Sequence, residues 1–489
     1  MRRTSSVFVC FLLLLAAAAS AQNRRMSVDD LPIPGLVPSS RPVAFVDVTV
    51  LPMTFNGVLE HQTVVTMHGR IQAIGPVDEI EIPAGAISID GTDRFLMPGL
   101  ADMHTHLDIE LGDGANEAVL WLANGVTTIF NVGDQITPLG EGLMDLRDDI
   151  IDGRRPGPTI YTASIAYGPD TGARTSHTFR TAAEGRNFVT ASKSAGYDFM
   201  KIYTSTTPAT FAGISEQAEI EDMAIVGHVP RDVGLNEALS GGLVMVAHLN
   251  DFWCRSFDCS ANENFLGAAV NPMVRHGAWV ATTLALNENF SDMYCGDMEA
   301  LEQFYLRAWW RFIHPSIVDQ WVGLVRGAWN PSGCHRNDAQ NSWDFLQWYS
   351  EELYDAGVPM VLGTDSPPVV GFPGWSLHEE LRLVGRMMTE YEALTLATSN
   401  AGRFMDAYLP EVEPFGTVEV GKRADLLLLD SNPLDRLRNA KRRVGVMARG
   451  RWYSEAELQR RLEWISSSYY QPPPPRSPSG RVRPLPATH

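Results

Sequence analysis

Segments typical of strands and of helices alternate through the middle of the chain, and this alternation restricts the fold more than any other feature. Eight short apolar segments after Gly99 have the composition of buried strands. They cover residues 100–106, 126–132, 158–166, 199–204, 223–229, 244–250, 279–285 and 359–366. Helix-like segments lie between them, at residues 117–124, 141–154, 182–195, 235–240, 265–276 and 343–356. Strands that alternate with helices form parallel sheets, so these units predict a (β/α)8 barrel of the α/β class.

Short β-branched segments flank the barrel on both sides. Residues 42–98 contain several of them, separated by turn residues, and residues 411–455 have the same texture. Neither region shows a helical period. The sequence therefore predicts one small, discontinuous β-sandwich domain made from N- and C-terminal segments. The barrel, residues 99–410, is inserted between its halves.

The first residues are organised like a secretory signal peptide. Two arginines are followed by an apolar stretch, residues 7–19, and then by the A-x-A type site Ala19-Ser20-Ala21. We expect cleavage after Ala21 and export to the periplasm or the exterior, with a linker at residues 22–41. No later segment approaches the ~20 apolar residues of a membrane helix. We therefore expect no membrane contact once the signal is removed.

Charge and composition limit the partners. The formal net charge is −19 and the pI is near 5.0, which argues against binding nucleic acid or an anionic membrane. A small-molecule substrate and a homo-oligomer are expected instead. The chain ends in a predicted helix and a proline-rich tail, residues 456–489.

Export changes how the cysteines are interpreted. The four that remain after cleavage are Cys254, Cys259, Cys295 and Cys334. In an oxidising compartment a clustered, even number favours disulfides. Of three pairings we favour Cys254–Cys259 and Cys295–Cys334, and four free buried thiols are the alternative. The last two lie in an insertion, residues 287–341, that is long for a connection and rich in tryptophan. It is either a lid or substrate wall, or an outer layer or oligomer contact.

Residues able to bind a metal occur near the carboxyl ends of five predicted strands, where barrel enzymes place their chemistry. They are His104, His106, Lys201, His228, His248 and Asp365. His104 and His106 are two apart, so both imidazoles project from one face of a strand. Taken singly, each residue has an ordinary explanation: Asp365 could cap a turn, and Lys201 could pair with Asp198. Together they predict a metal site, because imidazole and carboxylate are ligands that Zn2+ prefers.

Longer motifs around these residues resemble the metal-dependent amidohydrolase superfamily. The motifs are FLMPGLADMHTHLD, NGVTTIFNVG, FMKIY, GHVP, AHL, VLGTDS, SLHEELRLV, EALTLATSNAGRFM and FGTVEVGKRADLLLLDSNPL. Within the superfamily the chain is similar to the imidazolonepropionase-like branch, whose relatives include zinc-dependent dipeptidases of the prolidase type and ochratoxin-hydrolysing amidases. Two features depart from that pattern: VAHLND lacks the glutamate that commonly precedes the histidine, and the insertion is larger and more aromatic. His248 itself is retained, so the first departure does not affect metal binding, whereas the second leaves the substrate open.

The resemblance implies a site with two metal ions. The His-x-His pair would bind the more buried ion together with Asp365, and His228 and His248 would bind the second. Lys201 would be carboxylated and would bridge both ions. This agrees with physical chemistry, because a carbamate replaces a costly buried cation with an anion that has oxygen ligands. Zn2+ is the expected metal, and Mn2+ or Co2+ could substitute.

The implied reaction is hydrolysis of an amide or peptide bond in a small substrate, such as a dipeptide or an N-acyl amino acid. A hydroxide that bridges the metals would attack the carbonyl, and Asp365 would carry the proton to the leaving nitrogen. Tyr203 shares a face with Lys201 and could donate to the oxyanion or be structural. His378 could bind substrate or support the site. Arg174 could clamp a substrate carboxylate or be an ordinary loop arginine.

Three other functions stay open. A mononuclear deaminase or cyclic amidine hydrolase is disfavoured by Lys201, since the one-metal types lack the bridging lysine. A lactonase or esterase could use the same hydroxide. A non-catalytic binding protein is disfavoured by the complete set of ligands.

Overall fold

The structure is a computed structural model, and it describes eleven parts of the chain. These are residues 41–107, 114–134, 142–169, 178–253, 256–258, 260–294, 308–319, 321, 336–367, 371–409 and 411–469. The predicted signal peptide, almost all of the linker, the proline-rich tail, Arg174 and all four remaining cysteines lie outside these residues. No helix in the described part is long and apolar enough to cross a membrane.

The barrel predicted from the sequence is confirmed. Five strands precede it: β1 (Val43–Val50), β2 (Leu59–Met67), β3 (Arg70–Pro76), β4 (Ile87–Asp90) and β5 (Phe95–Pro98). The barrel strands are β6 (Leu100–Thr105), β7 (Val126–Asp134), β8 (Thr159–Ala166), β9 (Phe199–Ile202), β10 (Ile225–Gly227), β11 (Leu243–Val246), β12 (Trp279–Ala281) and β13 (Met360–Val361). They pair in parallel in chain order. The first and last strands then meet, because Met103 N donates to Leu362 O at 2.8 Å and His106 N donates to Ser366 O at 2.6 Å.

The barrel strands alternate with helices. In chain order the helices are α1 (Gly114–Ala123), α2 (Leu143–Ile151), α3 (Ala182–Ser194), α4 (Pro208–Ile220), α5 (Leu235–Ser240), α6 (Leu266–His276), α7 (Leu284–Tyr294), α8 (Arg336–Asp355), α9 (Trp375–Val384), α10 (Glu390–Leu396), α11 (Ser399–Tyr408) and α12 (Glu455–Tyr469). Short 3-10 turns lie at Leu249–Asp251, Glu263–Phe265, Ala308–Phe312 and Leu437–Lys441. The interior of the barrel is filled by apolar side chains, among them Met103, Phe130, Phe199 and Phe404.

The discontinuous β domain is also confirmed. Strands β14 (Leu426–Leu429), β15 (Arg443–Ala448) and β16 (Arg451–Ser454) return after the barrel. They join the N-terminal strands in one eight-stranded sheet with the order β16-β15-β14-β5-β1-β2-β3, and β4 branches off β1. The pairing of β14 with β5 is antiparallel, whereas β1 pairs with β4 and β5 in parallel, so this sheet is mixed.

The patterns Ser376-x-x-Glu379 and Thr389-x-x-Glu392 each predict a capping box at the start of a helix, and the two predictions have different outcomes. At Thr389 the hydroxyl accepts from Glu392 N and the Glu392 carboxylate accepts from Thr389 N, as predicted. The box expected at Ser376 is wrong. Helix α9 begins two residues earlier than this box requires, with Gly374 as its N-cap, and the Ser376 hydroxyl accepts instead from Phe372 N at 2.8 Å. The serine closes the loop in front of the helix because it lies inside the first turn.

The described part of the tryptophan-rich insertion packs against neighbouring helical layers. Trp309 stacks on Trp375 of α9 with 4.1 Å between ring centroids, and Trp310 and Trp321 both meet Phe372 edge-on. The turn that holds Trp309 and Trp310 also contacts α12. These contacts favour the outer-layer interpretation for this part of the insertion.

A buried arginine joins the two domains. Arg423 of the β domain donates to Asp425 Oδ2 at 2.6 Å, to the Tyr161 hydroxyl at 3.1 Å and to Thr128 Oγ1 at 2.7 Å. Thr128 and Tyr161 belong to β7 and β8 of the barrel. All of these donor–acceptor pairs are buried, so water cannot replace a lost partner.

Arg423→Met is expected to lower the free energy of unfolding by about 3–5 kcal/mol, because it leaves the Asp425 carboxylate buried without its cation. Equilibrium denaturation measures the change. The matched control is Arg436→Met, at an exposed arginine, which is expected to stay within about 0.5 kcal/mol of wild type. An Arg423→Met variant as stable as this control would contradict the role of the buried pair.

Candidate metal centre

The His-x-His pair lies where β6 ends. His104 is fully buried in the strand and His106 follows it, one-quarter exposed at the mouth. Two glycines make room for their rings. A Cβ on Gly133 would lie 2.4 Å from Nδ1 of His106, and a Cβ on Gly363 would lie 2.5 Å from the Cβ of His104. These glycines belong to the NVG and VLG motifs, so both motifs are explained by the space that the histidines need.

Asp365 faces this pair from the other side of the barrel seam. It follows β13 in the left-handed region, with φ of 57°, which an aspartate tolerates better than most residues. Its backbone N donates to His104 O at 2.7 Å. Its Oδ1 lies 2.8 Å from His106 Nε2 and 3.4 Å from His104 Nε2, and its Oδ2 lies 3.9 Å from His248 Nε2. One carboxylate is thus shared by three imidazoles from two other strands.

His104, His248 and Asp365 form a group whose ligand atoms all lie within 4.8 Å of one another, close enough to hold a metal ion. The His104 and His248 rings are 4.4 Å apart, and the His228 ring is 4.8 Å from that of His248. Both ring nitrogens of His104 are buried, and neither makes a hydrogen bond within the described residues. A buried polar atom without a partner is costly, and a bound cation would satisfy it. The donor set therefore fits a divalent metal ion.

Lys201 and Tyr203 extend the cluster on β9. Lys201 is buried in the strand, and Asp198, its possible partner, contacts Arg147 at 3.3 Å instead. Asp365 and Asp251 are the carboxylates whose charge acts on the Lys201 ammonium. The Tyr203 ring meets the edge of His228 with 4.6 Å between centroids and packs on Tyr167 at 4.9 Å.

Burial controls the charge of these groups. It lowers the pKa of His104 to about 3 and that of Lys201 to about 8, although Asp365 acts in the opposite direction on both. Burial alone would raise the pKa of the Asp365 carboxyl, but the His248, His104 and His106 rings lower it well below its usual range. Neutral imidazoles beside an ionised carboxylate are the protonation states that metal binding requires.

Sequence reasoning missed several residues that hold the ligands in place. Asp102, two residues before His104, accepts from Thr364 N at 3.0 Å and Thr364 Oγ1 at 2.7 Å, and so fixes the turn that carries Asp365. Thr283, at the end of β12, has its Oγ1 3.1 Å from Nδ1 of His248. Asp102 was recognisable as part of the ADMHTH motif, but only the fold shows its partner.

Buried Glu380 holds the turn that contains Thr283. Its carboxylate accepts from Leu284 N at 2.8 Å and from Ala285 N at 2.6 Å, at the start of α7. The contact joins α9 to the segment that follows β12, next to Thr283, whose hydroxyl contacts the candidate ligand His248. The SLHEELRLV motif is therefore linked to the site through its second glutamate, Glu380.

Of the other two predicted site residues the structure describes only His378, and it does not bring His378 into this cluster. His378 is buried in α9, where its Nε2 lies 2.9 Å from the carbonyl oxygen of Asn124, and Asn124 precedes the amino end of β7. That end of the barrel is opposite to the ligands. Arg174 lies outside the described residues. A contact of either residue with substrate stays a prediction.

The described chain has close structural counterparts. A search of protein-family models gave no match. Bottromycin amidohydrolase aligns over 90% of this chain and 92% of its own, with a TM-score of 0.67 and 20% identity. A Xaa-Pro dipeptidase with bound methionine in its active site aligns over 84% of this chain and all of its own, with a TM-score of 0.63 and 18% identity. The chain therefore shares the fold of these two proteins.

Sequence similarity points the same way over a shorter stretch. The imidazolonepropionase of Vibrio cholerae is 33% identical over 121 residues, which are 23% of this chain and 29% of that enzyme. The chain thus spans less than one-third of the length of this curated relative. This match agrees with the resemblance to the imidazolonepropionase-like branch that the sequence motifs carry.

Proposed function

We propose that the chain is an exported, binuclear metal-dependent amidohydrolase. Its substrate would be a small amide, such as a dipeptide or an N-acyl amino acid. The observation that carries the proposal is the cluster at the mouth of the barrel, in which the Asp365 carboxylate is shared by histidines of other strands and His104 has two buried nitrogens without a hydrogen bond. The Xaa-Pro dipeptidase and amidohydrolase neighbours support hydrolysis of a carbon–nitrogen bond.

The proposed ligands are divided between two ions. His104, His106 and Asp365 would hold one, and His228 and His248 would hold the other. Lys201 would join them as a carbamate: its neutral amine adds to the carbon of CO2, a nitrogen–carbon bond forms, and one proton leaves. When bound, the ions supply Lewis acidity and lower the pKa of water, which gives a nucleophile near neutral pH. Zn2+ suits a set of four imidazoles.

The residues of the chain then have separate tasks. Asp365, whose side chain is 16% exposed and whose carboxyl is held ionised by its neighbours, accepts the proton of the attacking water on a carboxylate oxygen and delivers it to the leaving nitrogen. Gly133 and Gly363 let the histidine rings sit close to the backbone. The Tyr203 hydroxyl donates to the oxyanion of the tetrahedral intermediate.

A hydrolysis panel tests the proposed reaction. Mature protein reconstituted with Zn2+ and bicarbonate is assayed with dipeptides, N-acyl amino acids, lactones and cyclic amidines. We expect release of free amino acid from the amide substrates and its loss on removal of metal by a chelator. Turnover of only the lactones or only the cyclic amidines would contradict the proposed substrate class, although it would leave the metal site intact.

Tyr203→Phe tests the proposed oxyanion donor. The substitution keeps the ring contacts with His228 and Tyr167 and removes only the hydroxyl. We expect kcat to fall about 10²-fold with KM little changed, as for loss of one transition-state donor. Tyr354→Phe on α8 removes a hydroxyl far from the cluster and should keep the wild-type kcat. An unchanged kcat in Tyr203→Phe would assign Tyr203 a packing role only.

A further inference from the structure

The carboxylate of Asp251 connects two of the proposed metal ligands. It lies in the single turn Leu249–Asp251, which begins directly after His248 at the end of β11. Asp251 N donates to His248 O at 3.2 Å, so the turn closes on the ligand itself. The side chain then reaches back to the neighbouring strand end, where Oδ1 is 3.0 Å from Nδ1 of His228 and Oδ2 accepts from Val229 N at 3.2 Å.

These contacts determine which nitrogen of His228 faces the cluster. A carboxylate can only accept a hydrogen bond, so the proton of a neutral His228 ring lies on Nδ1, and Nε2 keeps its lone pair. The ring lies between Tyr203 and His248, with centroid separations of 4.6 and 4.8 Å. The side chains of His228 and Asp251 are about nine-tenths buried or more, which shields the contact from water.

We infer that Asp251 is a positioning residue that fixes the tautomer and orientation of His228 and thereby sets the affinity of the second metal ion. The inference rests on the proposed two-metal function. Carboxylates that hold a ligating histidine in this way raise its basicity, and their loss costs about 10–100-fold in metal affinity. The Asp251 carboxylate contacts His228, which is a proposed ligand of the second ion only, so the two ions should respond differently to a substitution of Asp251.

Titration of metal-free mature protein with Co2+ tests the inference, because the visible absorption of Co2+ reports its coordination. The variants are Asp251→Asn, which keeps one acceptor for His228 Nδ1, and Asp251→Ala, which keeps none. The control is Asp258→Asn, the same substitution at an exposed residue of the following loop. We expect wild type and control to bind two equivalents. The Asn variant should bind the first as wild type does and the second about 10–100-fold more weakly, with an altered spectrum, and the Ala variant more weakly still.

The titration distinguishes a failure of the positioning role of Asp251 from a failure of the proposed two-metal site. An Asp251→Asn variant that binds the second Co2+ with wild-type affinity and spectrum would overturn the inference alone. Wild-type protein that binds fewer than two equivalents would overturn the two-metal proposal, and the inference with it. The thermal midpoints of the metal-free proteins complete the test: a variant that is destabilised but binds both ions normally has lost a structural contact only, which also overturns the inference.

Discussion

Lys201→Ala is expected to remove hydrolytic activity and one metal ion while the fold is retained. Lys201 is buried on β9, where Asp365 and Asp251 act on its charge, and a free ammonium at this position would repel a divalent ion. As a carbamate it would supply an oxygen to each ion, so its loss would weaken both coordination shells. Loss of a residue that only supports a ligand costs 10–100-fold. Loss of a shared ligand should therefore lower kcat/KM by more than about 100-fold.

The matched control for Lys201→Ala is Lys193→Ala, at a lysine on α3 whose amine lies 3.4 Å from a backbone carbonyl at the surface. Activity with the best amide substrate and metal content per chain are measured on both variants. The control should match wild type in both. A Lys201→Ala variant with full activity would show that the lysine does not bridge the ions.

Asp365→Asn is expected to lower kcat by about 10²–10⁴-fold, the range for loss of a general acid–base residue. The amide has the size of the carboxyl group, but it cannot accept the proton of the attacking water or carry it to the leaving nitrogen. The amide would also bind the metal ion more weakly than the carboxylate does. The carboxylate lies among the proposed ligands, 2.8 Å from His106 Nε2 and 3.4 Å from His104 Nε2. Reduced metal affinity should therefore accompany the loss of turnover.

Saturating Zn2+ separates the two effects of Asp365→Asn. If the carboxylate acts only as a ligand, excess metal will restore kcat, whereas a proton carrier cannot be replaced in this way. Asp406→Asn, at an exposed residue of α11, is the control and should retain wild-type kinetics. Full recovery of kcat at high metal would contradict the proton-transfer role.

The sequence predicted the barrel because a strand-and-helix alternation leaves few other folds. It also predicted that the candidate ligands gather at one end of the barrel, because His104, His106, His228, His248 and Asp365 stand near strand ends. The exact strand ends were not predicted. Residues 359–366 were expected as one strand, but β13 covers only Met360–Val361. Asp365 must turn toward His104 in a left-handed conformation, and a strand cannot continue through that turn.

The supporting residues could not be predicted, because their partners are distant in the chain. Glu380 acts on the turn after β12 from 95 and 96 residues away, and Asp102 acts on Thr364 from 262 residues away. The SLHEELRLV motif also contains His378, which we expected to bind substrate or to support the site. In the structure His378 forms a hydrogen bond with a backbone carbonyl instead. A histidine and a glutamate two residues apart on a helix point to different sides, so only the packing of α9 decides which one reaches the site.

The metal content of the purified chain tests the two-metal site directly. Mature protein is reconstituted with Zn2+ and bicarbonate, unbound metal is removed, and the zinc content is measured by elemental mass spectrometry relative to the protein concentration. We expect two ions per chain. One ion or none would contradict the two-metal site and, with it, the bridging role of Lys201.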